Sequence, residues 1–307
     1  MLLNYERYMA LSSNLAELFE KSFGKSIDEK ILRWRYLDNP VKDVLVAVQI
    51  EDNLLIANYS ASPCPVCIDG KAYKTGLSMT TMTHPDFRGR GLFPQLANEL
   101  YDYMNSMNYI MVWGFPNRNS RRIFNKYLGW KDIISIPMMQ LSLTDGKRDN
   151  SILCRDNDFD LNYPQDKDLN GLIHVQKNRS YLRWRYRNNP GNVYQNFVIR
   201  TEDNVSSFCV TKFYLDNLDL VDFQANSPDE GEYLLRQIIS LGINSGCKYI
   251  YCWAPRHHFM YSLCKRMGFR VSLSKTDFGF KPFNMEHHPI LEQYENWFIQ
   301  MGDSDVY

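Results

Sequence analysis

Apolar residues at helical spacing mark one long helix in the first half of the chain. Phe93, Leu96, Ala97, Leu100, Met104 and Met107 fall on a single face. Ahead of it, β-branched and aliphatic runs alternate with turn signals. They predict strands at about 44–50, 54–67 and 71–83, joined as hairpins through Glu51-Asp52-Asn53 and Asp69-Gly70. Helices are expected over 13–23 and 27–37, the second stopped by Asn39-Pro40. Behind the long helix, 109–115 reads as an apolar strand, 119–128 as a helix and 132–143 as a closing strand. The second half repeats the order, and Leu234, Leu235, Ile238 and Ile239 mark its own long helix. Residues 290–300 add an amphipathic segment, with Leu291, Tyr294, Trp297 and Phe298 spaced to dock. Strand runs followed by helix, strand and helix give an α/β (α+β) fold, each copy a mixed, mostly antiparallel sheet flanked by helices.

The repeat is visible residue by residue. ILRWRYLDNP at 31–40 and YLRWRYRNNP at 181–190 agree at seven of ten positions. Asp52-Asn53 matches Asp203-Asn204, 109–117 matches 249–257, and 128–132 matches 267–271. A period this long means a duplicated domain, since solenoid repeats run to about 20–50 residues. The expected domains are 1–145 and 146–307, with a polar linker at 144–151. Trp34 and Trp184 are expected to anchor their helices in the core. The second copy is 11 residues shorter between its third strand and its long helix.

Composition then narrows the partners. Lys+Arg and Asp+Glu are both 35 in 307 residues, so nothing favours nucleic acid or a membrane surface. No apolar run approaches the roughly 18 residues of a membrane span, and the start of the chain lacks a signal-peptide pattern. Seven cysteines, an odd and scattered set, suggest reduced thiols and a cytoplasmic setting. Cys64-Pro65-Val66-Cys67 has redox-like spacing but lies in an extended stretch, so it reads as two ordinary thiols. His257-His258 and His287-His288 read as surface or partly packed pairs, and no cluster offers the ligands of a metal site.

The chemistry concentrates where the second copy is short. Thr83-His84-Pro85-Asp86-Phe87-Arg88-Gly89-Arg90-Gly91-Leu92-Phe93 runs from a strand end into the long helix. Glycines let the backbone come close to a ligand, and helix-start amides face one point with the positive helix end behind them. That arrangement suits a pyrophosphate. His84 is expected to face solvent.

This segment resembles the acetyl-CoA loop of the GCN5-related N-acetyltransferase (GNAT) superfamily, Gln/Arg-x-x-Gly-x-Gly/Ala. Arg88, Gly91 and Phe93 fall on its defined positions, Phe93 departing from the small residue. The resemblance implies two tandem GNAT-like domains, the second degenerate. Its tandem form, with the Trp-Arg-Tyr…Asn-Pro motif, is similar to proteins of bacterial surface-polysaccharide and amino-sugar pathways. It implies acetyl-CoA held by Arg88, Gly89, Arg90, Gly91, Leu92 and Phe93, with Asn117, Asn119 and Ser120 as further contacts. The arm of the cofactor would enter a splay between the strand ending at Thr83 and the strand after Tyr109. A backbone N–H near Met82 or Thr83 would polarise the thioester carbonyl.

The family's acid, a Tyr, is replaced by Asn125, and Tyr127 stands two residues on. Both are carried as catalytic candidates. Ser78 and Thr80 are expected to face the acceptor groove, and Arg35 and Tyr36 line that groove or else lie on a solvated helix face. Arg121 and Arg122 are candidates for the cofactor's 3′-phosphate. Asp303 and Asp305 would attract an acceptor amine and take its proton, or else belong to a tail that only covers apolar surface. The implied activity is acetyl-CoA-dependent N-acetyl transfer to a small polar amine, an amino sugar or sugar nucleotide, without a metal. The alternatives are an amino acid, peptide or antibiotic amine, or a binding protein without chemistry. The second copy's loop, Asn226–Glu232, holds three carboxylates and is expected to refuse CoA.

Overall fold

The structure, a computed structural model, describes residues 1–144, 159–161, 163, 169, 171–201, 204–283 and 288–307. Residues 145–151 of the expected linker, the expected domain boundary, Asp203 and His287 lie outside the described residues. Two compact units form. Unit 1 comprises Met1–Val66, Ala72–Ile134 and Asp277–Glu292, and unit 2 comprises Cys67–Lys71, Ser135–Thr276 and Gln293–Tyr307.

The chain opens with α1 (Tyr5–Ala10), capped by Asn4, whose Oδ1 accepts the Arg7 amide at 2.9 Å. Its six residues are too few to show a period in the sequence. α2 (Ser12–Phe23) and α3 (Glu29–Tyr36) follow. Asn39 ends the α3 region: it is buried, its Nδ2 donates to Pro63 O at 2.8 Å, and its Oδ1 accepts the Val41 amide at 2.9 Å. Trp34 and Trp184 are both buried.

Next come β1 (Leu45–Glu51), β2 (Leu54–Pro63), β3 (Val66–Ile68), β4 (Lys71–Tyr73) and β5 (Thr75–Thr83). Unit 1 continues with α4 (Leu92–Ser106), β6 (Met111–Gly114) and α5 (Arg118–Tyr127). Then β7 (Lys131–Ser142) leads toward unit 2. In unit 1, β1 and β5 pair antiparallel with β2, and β5 pairs parallel with β6. α4 lays Phe93, Leu96, Ala97, Leu100 and Met104 on this sheet, against Leu45, Ala47, Ala57 and Tyr59. Each large side chain so buried contributes about 1.5–3 kcal/mol.

The second half supplies β8 (Ile173–Val175) and α6 (Arg179–Leu182), which runs into a π turn at Arg183–Arg187. β9 (Tyr194–Thr201), β10 (Asn204–Tyr214) and β11 (Asn217–Gln224) follow. α7 (Pro228–Asn244), β12 (Tyr249–Cys252), α8 (Phe259–Arg266) and β13 (Arg270–Pro282) complete the repeat. In unit 2, β9 and β11 flank β10 antiparallel, and β11 pairs parallel with β12.

The closing strands are exchanged. The strand expected to close the first copy, β7, pairs its Met139–Ser142 stretch with β12 inside unit 2. In unit 1, β6 is instead closed by Gly279–Pro282 of β13. Strand character is written locally, but the choice of partner is settled by long-range packing.

The end of the chain docks, as its apolar spacing predicts. It does so as short pieces rather than one helix: α9 (His288–Leu291), a 3-10 turn at Tyr294–Asn296 and β14 (Trp297–Phe298), which pairs parallel with β8. The six described cysteines are buried. Among the described residues no helix is long and apolar enough to cross a membrane, and no cluster of ligands suits a metal ion.

Candidate active site in unit 1

The loop between β5 and α4 is built around two left-handed glycines. After the 3-10 turn Pro85–Phe87, Gly89 has φ 80° and Gly91 φ 75°. A Cβ at either position would meet nothing within 4 Å, so backbone conformation requires glycine and the space above the loop is open. Gly91 caps α4, and the amides of Leu92 and Phe93 have no partner within the helix by geometry. Pro94 fills the third helical position at no further loss of a helix bond. The result is a donor-rich, positive helix start on a 15-residue helix.

The two arginines are braced. Arg88 donates from Nη2 to Ser22 O at 3.1 Å, and Arg90 meets Glu51 at 3.3 Å and stacks 4.5 Å over the Phe87 ring. Both stay exposed, so they add positive charge while holding the loop. Phe93 turns its ring into the core, 5.5 Å from Tyr59 and 5.1 Å from Phe124. Its bulk therefore stays off the loop. His84 does not face solvent freely: its side chain is 14 % exposed, its Nδ1 accepts the Asp86 amide, and its ring packs on Phe87.

Beside the loop the sheet opens. β5 pairs with β6 only from Thr75 to Leu77, opposite Met111 to Trp113. Residues 78–83 continue along β2 without a β6 partner, which leaves an open edge of β5 carrying Met82 and Thr83. A bulge shapes this edge. Asn58 pairs with Met82 but Ser60 with Met79, and Thr80 sits at φ 52°. Asn58 Nδ2 donates to Thr80 O at 2.7 Å, and Ser60 Oγ donates to Met79 O at 3.1 Å, pinning the bulge from beneath.

The two catalytic candidates differ in their surroundings, one bonded to a carboxylate and one exposed. Asn125 Nδ2 donates to Asp132 at 2.6 Å, in a cluster where Arg121 also bonds Asp132 and Asp277. Arg121 is thus committed, and Arg122 remains exposed. Tyr127 is 58 % exposed, with Lys126 over its ring and no hydrogen bond to its phenol among the described residues. Asn117 and Ser120 are capping partners of α5, Asn117 Oδ1 accepting the Asn119 and Ser120 amides at 2.9 and 3.1 Å. Their side chains serve the helix, while Asn119 is exposed.

Sequence reasoning missed a chain of hydroxyls. Ser78 Oγ lies 2.9 Å from Tyr59 OH, which lies 2.8 Å from Tyr101 OH, which accepts Trp130 Nε1 at 2.9 Å. Burial pushes both phenols above their ordinary range, so they stay protonated and orient Ser78. Tyr59 was findable as an inward position on β2, and Tyr101 as part of the α4 face.

Of the acceptor candidates, Arg35 donates from Nη1 to Thr80 Oγ1 at 3.1 Å. Tyr36 is buried, its hydroxyl 2.9 Å from Ser60 Oγ, so it supports the groove rather than lining it. Asp303 corrects the reading of the tail. It lies in unit 2, 1 % exposed, 2.8 Å from Lys177 Nζ and accepting the Gln300 amide at 2.7 Å. A buried carboxylate must be paired, and this one is spent on its lysine. Asp305 is half-buried.

Among the described residues of unit 2, side chains occupy the corresponding helix start and strand edge. At the start of α7, Ser227 caps, Pro228 removes an amide, and Glu230 accepts Ser206 Oγ at 2.6 Å and also Ser207 Oγ. Its own carboxylate takes the positive helix end. Beyond Leu220, where β11 leaves β12, the Gln300 side chain bonds both the amide and the carbonyl of Phe223, at 3.2 and 3.0 Å.

Residues 11–132 match the family model described as Acetyltransferase (GNAT) domain. No curated protein matches the sequence. Among solved structures, a probable N-acyltransferase from Enterococcus faecalis V583 is similar at TM-score 0.67 and 12 % identity, over 91 % of this chain and 71 % of that one. A GCN5-related N-acetyltransferase from Anabaena variabilis ATCC 29413 gives TM-score 0.63 and 13 % identity over 92 % and 71 %. Saccharomyces cerevisiae N-myristoyltransferase with bound myristoyl-CoA gives 0.54 and 10 % over 91 % and 77 %. At these identities the likeness speaks for the fold.

Proposed function

We propose that the chain transfers acetyl from acetyl-CoA to the nitrogen of a small polar amine, and that unit 1 alone does so, a reading supported by the match of residues 11–132 to the acetyltransferase (GNAT) domain model. The observation that carries this is the juxtaposition in unit 1 of the glycine-opened helix start and the unpaired edge of β5. The residues fit the cofactor: the space over Gly89 and Gly91 is free, and Gly91 caps a helix whose first amides lack helix partners.

Bound acetyl-CoA supplies an acetyl thioester. The amides of residues 89–93 take the pyrophosphate oxygens, with Arg88 and Arg90 adding charge. The open edge of β5 takes the amide groups of the arm, and a backbone N–H near Met82 or Thr83 polarises the carbonyl. Ser78, oriented by Tyr59, would hydrogen-bond the CoA sulfur as the C–N bond forms and the thioester C–S bond breaks, in place of the missing tyrosine. Water would take the proton from the amine and the departing thiolate would gain one from solvent, and holding both partners in one groove would supply much of the rate. An amino sugar or sugar nucleotide suits the polar bulge at Thr80 and Ser78. The odd, scattered set of seven cysteines supports a cytoplasmic setting.

Gly91→Val tests the reading. Its side chain would stand in the open space, on a backbone that valine resists. Calorimetry should show acetyl-CoA affinity reduced by about tenfold or more, the loss of at least one charge-assisted contact. Unchanged affinity in a folded variant contradicts it.

A further inference from the structure

We propose that Arg35 anchors the acceptor and that the acceptor amine carries an anionic group, a carboxylate or a phosphate, an inference that rests on the N-acetyl transfer reading above. Arg35 is half-buried, and it forms no ion pair among the described residues. Its one side-chain hydrogen bond goes to Thr80 Oγ1, at 3.1 Å. Thr80 belongs to the stretch of β5 that has left β6, and it is kept in the left-handed region by Asn58. A guanidinium offers five donors in a planar fork, and a single hydroxyl leaves most of them for an oxygen-rich partner.

The surroundings are also incomplete. The Asn58 Oδ1 and the Tyr8 hydroxyl are buried without a partner. The Asn58 amide cannot be reversed, because its Nδ2 must face the Thr80 carbonyl. Its oxygen is therefore an acceptor in want of an N–H or O–H. Tyr8 packs 5.9 Å from Tyr36, whose hydroxyl meets Ser60, which also accepts Asn58 Nδ2 at 3.2 Å. One cation and one lone acceptor beside Thr80 complement a molecule that holds an anion and a hydrogen-bond donor together.

The internal repeat provides an independent observation. Arg185 occupies in the second Trp-Arg-Tyr motif the place of Arg35 in the first. In unit 2 its guanidinium donates to Gly302 O at 3.1 Å, Ser304 O at 3.0 Å and Tyr307 O. Gly302 is packed so closely on Tyr186 and Asp222 that a Cβ would collide with both. At this place in the fold the arginine grips oxygen atoms of a segment laid along β11. Arg35 presents the same group along β5, with only Thr80 to hold.

The test uses full-length enzyme at saturating acetyl-CoA, with thiol release as readout. The amines are glucosamine, glucosamine 6-phosphate, alanine, alanine amide, 2-aminoethyl phosphate and ethanolamine. Wild type should acetylate one or more anionic members and leave its neutral counterpart; the phosphate and carboxylate arms identify the anion. Arg35→Gln should raise KM for that amine by about tenfold to a hundredfold with kcat largely retained, as loss of a charge-assisted pair predicts. Arg35→Lys should recover part of the loss. Melting temperature and acetyl-CoA affinity should not change. Equal use of neutral and anionic members overturns the inference, as does an Arg35→Gln effect confined to kcat. So does turnover of no anionic amine by an enzyme that binds acetyl-CoA. Failure of wild type to bind acetyl-CoA defeats the parent reading instead.

Discussion

Lys177 shows what single residues do for unit 2. It stands between Asp222 and Asp303, both 1 % exposed, while Tyr186 OH also donates to Asp222. Burial alone would lower the lysine pKa, but the two carboxylates outweigh it and hold the group charged. Burial likewise raises Asp303 against the pull of Lys177. Lys177→Ala strands two buried carboxyls and should destabilise unit 2 by about 3–5 kcal/mol, read by chemical denaturation. A loss below about 1 kcal/mol would mean that solvent reaches the pair. At this scale the loop was legible, because Gly89 and Gly91 reveal a backbone requirement by residue type alone. Asp303 was not, because a sequence shows that a group is charged and not that it is buried. Ser78 was named from its strand, but its partners Tyr59 and Tyr101 lie far off in the chain and meet only after α4 packs on β2.

Among the elements, α8 carries a pH dependence. His258 caps it by accepting the Met260 amide on Nδ1 at 3.3 Å. Burial, helped by the charge of His257, lowers the His258 pKa to about 4. A depressed pKa gives stability that is full above the unfolded value near 6.5 and is lost as pH falls toward 4. Asp219 works oppositely in the same unit: burial raises its pKa to about 6, so its contribution is lost as pH rises through that value. The difference against a non-titrating cap isolates the histidine. Wild type should lose on the order of 2 kcal/mol relative to His258→Asn between pH 7 and pH 4. Parallel pH profiles would show that the ring is already solvated. The helix and hairpin pattern of the first copy was legible, because period and turn chemistry are local. Burial of His258 and the exchange of β7 and β13 were not, since both depend on contacts between distant segments.

For the whole molecule, the function proposed above assigns acetyl transfer to the first copy, while in the second copy side chains occupy the corresponding helix start and strand edge. The repeat itself was plain in the sequence, and so was the unequal loop. What fills unit 2 was not: Glu230 takes the helix end, and Gln300 occupies the edge of β11 through its side-chain amide. Docking of the chain end was expected from Trp297 and Phe298, but its lodging along β11 rests on the Gln300 side chain and on the Arg185 guanidinium, whose partners lie far off in the sequence. The most direct measurement is the stoichiometry of acetyl-CoA binding to the full chain by isothermal titration calorimetry, for wild type and for Gly91→Val. One molecule bound per chain, with that binding weakened by Gly91→Val, is the predicted result; two per chain, none, or one that ignores the substitution contradicts the account.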